Sequence, residues 1–190
     1  MDRFDRAQVI TFLRAVDIFL KKDLKIFLVG GAAALLGYHA RGKTSDLDVF
    51  DILEGSENDL KQAAREASHM TGLAVSVGGA PVTDLPYNYE DRLKQVRGTR
   101  FKKLTVIVPD KYDLALSKMI RGYPHDLDAI RSMHAHHPLS EKVLAKRFES
   151  EIWNEAVTDK RRFALNMVGL MQLLYGNKIA RRHAEKWSVA

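Results

Sequence analysis

The chain has 190 residues, no cysteine and a formal net charge of +6 at pH 7. Without cysteine, disulfide bonds and thiolate metal sites are excluded, and the positive charge favours polyanionic partners such as RNA or DNA. The sequence has no apolar run long enough to cross a bilayer and no signal-peptide pattern at its start. We therefore expect a cytoplasmic protein with no membrane partner.

Hydrophobic periodicity predicts helices and strands that alternate over the first two thirds of the chain. The predicted elements are a helix at 5–22, a strand at 25–29, a short helix at 32–37, a strand at about 46–52, a helix from Ser56 to about Met70, and strands at 73–77 and 103–108. Residues 81–99 are polar and predict a loop with a short helical piece at 88–95. This order predicts an α/β (α+β) fold, with a small mixed sheet of about four strands flanked by helices.

The rest of the chain reads as helical. The predicted elements are a helix after Pro109, one or two helical turns at 125–133, a helix from Ser140 to about Ala156 and a long final helix capped by Thr158. The final helix is apolar around most of its surface, which favours a core or oligomer contact. His134, His136 and His137 predict a polar loop rather than a metal site. We divide the chain into a domain at 1–135 and a helical extension at 136–190 packed on it.

Residues 27–51 carry the chemistry. Gly30 and Gly31 follow an apolar strand and lead into a helix, whose free N–H groups and dipole attract anions. Asp46 and Asp48 are two residues apart on a strand and share one face. Two such carboxylates repel each other unless a cation lies between them. Their hard oxygens suit Mg²⁺ (or Mn²⁺) bound together with substrate phosphates.

A phosphate loop is one alternative for the same stretch. Residues 37–44 match G-x-x-x-x-G-K-[ST], but that loop requires a preceding strand and a following helix. Here the order is reversed, so we favour the carboxylate site. A solvated strand face is the second alternative for Asp46 and Asp48.

The glycine pair, a spacer and the Asp46-x-Asp48 pair resemble the signature of the nucleotidyltransferase (polymerase β-like) superfamily. The stretch is similar to that of the minimal nucleotidyltransferases, which include AbiEii-type toxins. A later segment also resembles these proteins, and it comprises Asp113-Leu114, Lys118, Asp126 and Asp128. The resemblance covers roughly residues 25–130.

The resemblance implies transfer of a nucleoside monophosphate from a nucleoside triphosphate to a hydroxyl of an RNA, a protein or a small molecule. Asp46 and Asp48 would hold the metal. The residues expected to contact the nucleotide phosphates are Gly30, Gly31, Arg41, Lys43 and Thr44. Lys118 would neutralise phosphate charge, or alternatively form a salt bridge with a nearby acid.

Members of the superfamily usually supply a third carboxylate from a neighbouring strand, and strand 103–108 has none. Asp84, Asp126 and Asp128 are the candidates. We favour Asp126 as a catalytic carboxylate and expect it within about 8 Å of the Asp46–Asp48 pair.

Two other functions stay open. A degenerate member of the fold would bind a nucleotide or a partner without catalysis. A basic nucleic-acid-binding protein would stack bases on aromatic side chains, and Tyr87 and Tyr89 near Arg92 and Arg97 hint at this. The expected partners are a nucleoside triphosphate and either an RNA or an antitoxin protein. An antitoxin is expected if the chain is the toxin of a toxin–antitoxin pair. A second copy of the chain could bind through the C-terminal helix.

Overall fold

The computed structural model describes residues 2–80 and 84–189. Within them the chain forms two compact units. The first unit comprises Met1–Thr83 and Leu93–Pro109, and the second comprises Asp84–Arg92 and Asp110–Ala190. Residues 81–83, which begin the predicted polar loop, lie outside the described residues. The division at residue 135 stays a prediction about domains, and the two units divide the chain elsewhere.

The first unit is a mixed sheet with helices. Its elements are α1 (Arg6–Phe19), β1 (Leu24–Leu28), α2 (Gly30–Tyr38), β2 (Asp46–Glu54), α3 (Glu57–Thr71), β3 (Ser76–Gly79), β4 (Lys94–Gln95) and β5 (Leu104–Val108). The five strands follow the order β3-β2-β1-β5-β4. β1 runs parallel to β5 and antiparallel to β2, and β2 runs parallel to β3. The predicted α/β fold class with a mixed sheet is confirmed.

The inner strands have the apolar sequences that predicted them. LKIFL in β1 and LTVIV in β5 are buried at most positions, as expected for central strands covered on both faces. β5 is fixed to α1 by Asp17, whose carboxylate accepts hydrogen bonds from the backbone N–H groups of Lys102, Lys103 and Leu104 at 2.7–3.1 Å. This buried carboxylate therefore connects the first helix to the start of the last strand.

Three predicted boundaries in the first unit are wrong. α1 ends at Phe19 rather than 22, since Leu20 is extended. α2 begins at Gly30 and runs through Gly37 to Tyr38. The third strand lies at Ser76–Gly79 rather than 73–77, because these are the residues whose backbone pairs with β2. The fifth strand, β4, lies where a loop was predicted.

The second unit is helical, as predicted for the C-terminal part. Its helices are α4 (Lys111–Arg121), α5 (Pro124–His136), α6 (Glu141–Arg147), α7 (Lys160–Tyr175) and α8 (Asn177–Lys186), with a π-helical turn at Phe148–Ile152 and a 3₁₀ turn at Tyr89–Arg92. Its core includes the fully buried side chains of Phe148, Phe163 and Met167. No described helix is long and apolar enough to cross a membrane.

Several predictions for the second unit are corrected. His134 and His136 belong to the last turn of α5 rather than to a loop. Regular α-helix after Ser140 ends at Arg147. Asp159, rather than Thr158, caps α7 through the N–H of Arg162, and Gly176 at φ +86° separates α7 from a further helix.

A buried ion network attaches the segment 84–92 to this unit. Arg92 makes two hydrogen bonds with Asp113, at 3.0 and 3.1 Å, and a third with Glu151 at 2.8 Å. Arg147 donates to Asp113 at 2.8 Å. Burial raises the pKa of Asp113, whose side chain is fully enclosed, although hydrogen bonds from Arg92 and the charge of Arg147 oppose that shift. Residues 84–92 of the polar segment predicted as a loop are therefore anchored through Arg92.

Candidate functional site

The start of α2 has no hydrogen bond from a capping side chain. Gly30 has φ +68° and turns the chain from β1 directly into the helix. The residue before it, Val29, has no side chain that can accept a hydrogen bond from the first N–H groups. The first N–H groups of a helix have no partner within the helix, and the dipole adds partial positive charge there. This end of α2 can therefore bind a phosphate oxygen.

The two carboxylates lie on one face of β2. Asp46 and Asp48 are half-buried, whereas Leu47 between them and Val49 after them are buried. Alternation along the strand thus separates an acidic face from a core face. A β-bulge follows directly, since Leu28 pairs with Val49 but Phe27 pairs with Asp51. Bulges of this kind reorient side chains next to functional sites.

The start of α2 lies close to the Asp48 carboxylate. A Cβ atom added to Gly30 would lie 2.1 Å from Oδ2 of Asp48, a distance that no real side chain can adopt. The Val29 N–H also donates to the Asp48 carbonyl oxygen at 3.0 Å. The sequence therefore needs glycine at position 30 for its backbone conformation and for the space that the Asp48 carboxylate occupies.

Thr44 orients the other carboxylate. Its hydroxyl, which is buried, donates within 3.1 Å of both the Asp46 carbonyl oxygen and Asp46 Oδ1. The Thr44 backbone is held by two hydrogen bonds with Phe4, at 2.7 and 2.9 Å. A Cβ atom added to Gly31 would lie 2.8 Å from Thr44 Oγ1. Gly31 thus leaves room for the hydroxyl that fixes Asp46.

The remaining residues predicted to bind phosphate lie beside this cluster in sequence. Arg41 and Lys43 are exposed in the connection between α2 and β2. No helix begins at Lys43, because β2 follows at Asp46. The phosphate-loop alternative for residues 37–44 is therefore excluded, and Gly37 serves another purpose. It lies inside α2, where an added Cβ would come within 2.8 Å of Val108 Cγ2.

The strand next to the carboxylates supplies no acid. In the parallel pairing of β2 with β3, Ser76 lies opposite Asp46 and Gly78 lies opposite Asp48. Residues in register share a face, so β3 places only a hydroxymethyl group and a hydrogen atom beside the two carboxylates. Among the described residues, no group of three or more His, Cys, Asp or Glu side chains is placed to hold a metal ion.

The candidates for the third carboxylate belong to the second unit. Asp84 Oδ2 accepts the backbone N–H of Val157 at 2.9 Å, and Asp128 pairs with Arg131. Asp126 is fully buried and accepts from Lys118 Nζ at 2.9 Å and from Arg121 at 3.2 Å. Lys118 and Asp126 are therefore brought together, as the sequence alternative of an ion pair for Lys118 expected.

Sequence reasoning missed two features of the site. One is the role of Thr44, whose hydroxyl contacts Asp46; the Thr44-Ser45-Asp46 spacing could have suggested it, since residues two apart on an extended chain share a face. The other is the contact of Gly30 with Asp48, which depends on pairing between β1 and β2 and leaves no local signal.

A comparison with protein families agrees with the geometry. A family model described as "Nucleotidyltransferase of unknown function (DUF6036)" matches residues 8–171. Comparison with curated proteins and with solved structures finds no significant match. The match includes every residue that we predicted for the site.

Proposed function

The chain belongs to the DUF6036 family of nucleotidyltransferases, and from this we propose that it transfers a nucleoside monophosphate from a nucleoside triphosphate to a hydroxyl, with release of pyrophosphate. The observation that supports this most strongly is the contact between Gly30 and the Asp48 carboxylate. It supports the proposal because the helix start that would bind phosphate lies close to Asp48, one of the carboxylates that would hold a metal ion.

The donor set fits Mg²⁺ or Mn²⁺. Asp46 and Asp48 offer hard oxygens on one half-buried face, and Mg²⁺ is usually bound by one or two carboxylates together with substrate phosphates. When bound, the ion would offset negative charge on the phosphates. Two carboxylates are too few to hold a metal ion by themselves, so Asp46 and Asp48 are better suited to bind one ion together with the phosphates of the nucleotide.

Each of the protein's own groups would have a distinct role in binding the metal–nucleotide complex. The N–H groups at Gly30 and Gly31 would bind phosphate oxygens. Thr44 would keep the Asp46 carboxylate in one orientation through its hydroxyl. Arg41 and Lys43 would add positive charge at the edge of the site.

The acceptor hydroxyl must lose a proton to a base within hydrogen-bond reach. We keep Asp126 as the proposed third carboxylate. One of its oxygens, Oδ2, is buried and makes no hydrogen bond among the described residues. Its ion pair with Lys118 instead supports a stabilising role within the second unit, so activity of Asp126→Asn decides between the two.

The transfer reaction is tested with each of the four nucleoside triphosphates labelled at the α-phosphate, with Mg²⁺ and with total RNA or the protein itself as acceptor. We expect labelled acceptor and pyrophosphate from the wild type and neither from Asp48→Asn. Asp51→Asn is the matched control, because Asp51 lies exposed on the same strand. Equal label transfer by Asp48→Asn and the wild type would contradict the proposed function.

A degenerate module that binds nucleotide without catalysis is the second candidate. The lack of a third acid near β2 among the described residues favours it. Saturable nucleotide binding without pyrophosphate release, with every acceptor tried, would support this candidate.

A toxin role is a further proposal that rests on the resemblance alone. It predicts that expression of the wild type, but not of Asp48→Asn, arrests growth of a bacterial host. RNA or protein as the acceptor, and an antitoxin as a partner, belong to the same proposal.

A further inference from the structure

Both tryptophans of the chain line a single cleft in the second unit. The cleft has a volume of about 240 Å³ and is lined by Phe148, Glu149, Trp153, Lys186, Trp187 and Ser188. We call it the tryptophan slot. It is smaller than the roughly 300–1,000 Å³ of typical ligand pockets, so it suits one ring system rather than a large ligand.

Three aromatic rings form the apolar part of the slot. Phe148 is buried, and its centroid lies 5.3 Å from that of Trp153 and 4.6 Å from that of Trp187. Both tryptophan residues are only half-buried, and both line the cleft. His183 stacks on Trp187 with centroids 4.6 Å apart, which holds that indole in place. The rings thus offer a preformed surface for a planar π system.

Hydrogen bonds to carboxylates fix the far wall of the slot. Glu149 Oε1 accepts from the Trp187 indole N–H at 2.9 Å and from Lys186 Nζ at 2.6 Å. His183, which lies in α8 together with Lys186, is held by Glu141, whose Oε1 lies 2.5 Å from His183 Nε2. Glu149 and Phe148 lie in the π-helical turn, and π-helical turns are frequent at functional sites. The Trp187 indole is therefore held by a hydrogen bond before any ligand binds, which lowers the cost of binding.

One exposed ammonium group at the slot, that of Lys186, can meet an anionic ligand, although it is paired with Glu149 when the slot is empty. The Lys186 side chain is 58% exposed, so its ammonium can turn from Glu149 to an incoming phosphate. Lys160 Nζ lies 5.7 Å from the centre of the Trp153 ring but donates hydrogen bonds to the backbone carbonyl oxygens of Trp153 and Ala156. Lys186 is therefore the ammonium group that a phosphate would contact.

We propose that the tryptophan slot binds a nucleobase, with Lys186 contacting the adjoining phosphate. Base–aromatic stacking is tolerant of sequence, so the ligand is either a free nucleotide or one nucleotide of a single-stranded RNA. The proposal is independent of the transfer reaction, because every residue of the slot lies in the second unit and binding is measured without turnover.

Tryptophan fluorescence tests the proposal directly, since all indole emission comes from this slot. The wild-type protein is titrated without Mg²⁺ with AMP and, separately, with a single-stranded adenosine 12-mer RNA. We expect saturable quenching by at least one of the two, and the better ligand identifies the source of the base. In Trp153→Leu, binding read from Trp187 should weaken roughly five-fold or more, whereas Trp153→Phe should retain it.

Lys186→Gln and Lys178→Gln form a matched pair on the same helix, because only Lys186 lines the slot. We expect Lys186→Gln to weaken binding and to flatten its salt dependence, with Lys178→Gln close to the wild type. Far-ultraviolet circular dichroism confirms that each variant is folded. The proposal is overturned if neither ligand quenches, if choline quenches instead, if the two lysine variants weaken binding equally, or if folded Trp153→Leu binds as the wild type does.

Discussion

Replacing Gly30 by alanine tests the geometry of the site most sharply. The substitution places a methyl group 2.1 Å from Asp48 Oδ2 on a residue whose φ is +68°. Two costs therefore add. A left-handed conformation costs a residue with a side chain about 1–2 kcal/mol, and displacing Asp48 from its rotamer costs about 0.5–1.5 kcal/mol more.

Gly72→Ala is the matched control. Gly72 has φ +69°, but a Cβ atom there meets no atom within 4 Å, so only the backbone cost applies. Both glycines belong to the first unit. The difference between the variants isolates the Asp48 contact, and we expect Gly30→Ala to lose about 1 kcal/mol more. For a protein of this length that is about 2–4 °C of additional loss in Tm.

Thermal denaturation and the labelled transfer reaction measure both consequences. Gly30→Ala should lower Tm further than Gly72→Ala and should lose nucleotide transfer, which Gly72→Ala should keep. Adding Asp48→Ala to Gly30→Ala removes the clashing oxygens and should recover the extra stability without recovering activity. Equal Tm values for the two single variants, with transfer intact in both, would refute the contact that we derive between the helix start and the carboxylate.

Two other predictions follow from buried polar groups of the first unit. Thr44→Val keeps the shape of the side chain but removes the hydroxyl that donates to Asp46. Affinity for the metal–nucleotide complex, measured by calorimetry, should therefore fall roughly 10–100-fold. Unchanged affinity would show that Thr44 does not orient Asp46. Burial raises the pKa of Asp17, but the backbone hydrogen bonds of residues 102–104 outweigh it and hold the pKa below 3.8. Its stabilising contribution is therefore present above pH 3.8 and is lost as the pH falls through the lower value of the folded state. Asp17→Asn should unfold more easily, by about 1.5–3 kcal/mol at neutral pH, and should show a shallower loss of stability in acid when denaturation is followed from pH 6 to 2; an unchanged acid profile would refute this assignment.

The fold was predictable where local pattern and tertiary pairing agree. The short apolar runs of β1 and β5 are typical of buried strands, and glycine at position 30 indicates a change of direction. The third strand was misplaced because glycine has no side-chain pattern, so only its pairing with β2 locates it at Ser76–Gly79. The π-helical turn at Phe148–Ile152 likewise leaves no periodic signal, and the helix after Ser140 was therefore predicted too long.

The candidate site divides in the same way. Alternation along one strand was enough to put Asp46 and Asp48 on one face. The contact of Gly30 with Asp48 required the antiparallel register of β1 and β2 with its bulge. The pairing of Lys118 with Asp126 depends on Gly122, whose φ of +65° ends α4. The chain then turns back, and Asp126 reaches Lys118. The sequence left the acid that could pair with Lys118 unnamed, and the structure identifies it as Asp126.

The central claim is that Asp46 and Asp48 together bind a metal–nucleotide complex. It is tested most directly by calorimetric titration of each nucleoside triphosphate, with and without Mg²⁺, into the wild type, Asp46→Asn, Asp48→Asn and Asp51→Asn. We predict Mg²⁺-dependent binding of at least one nucleotide by the wild type and Asp51→Asn, and its loss in the other two variants. Equal Mg²⁺-dependent affinity in Asp48→Asn and the wild type, or no binding of any nucleotide by the folded wild type, would contradict the claim.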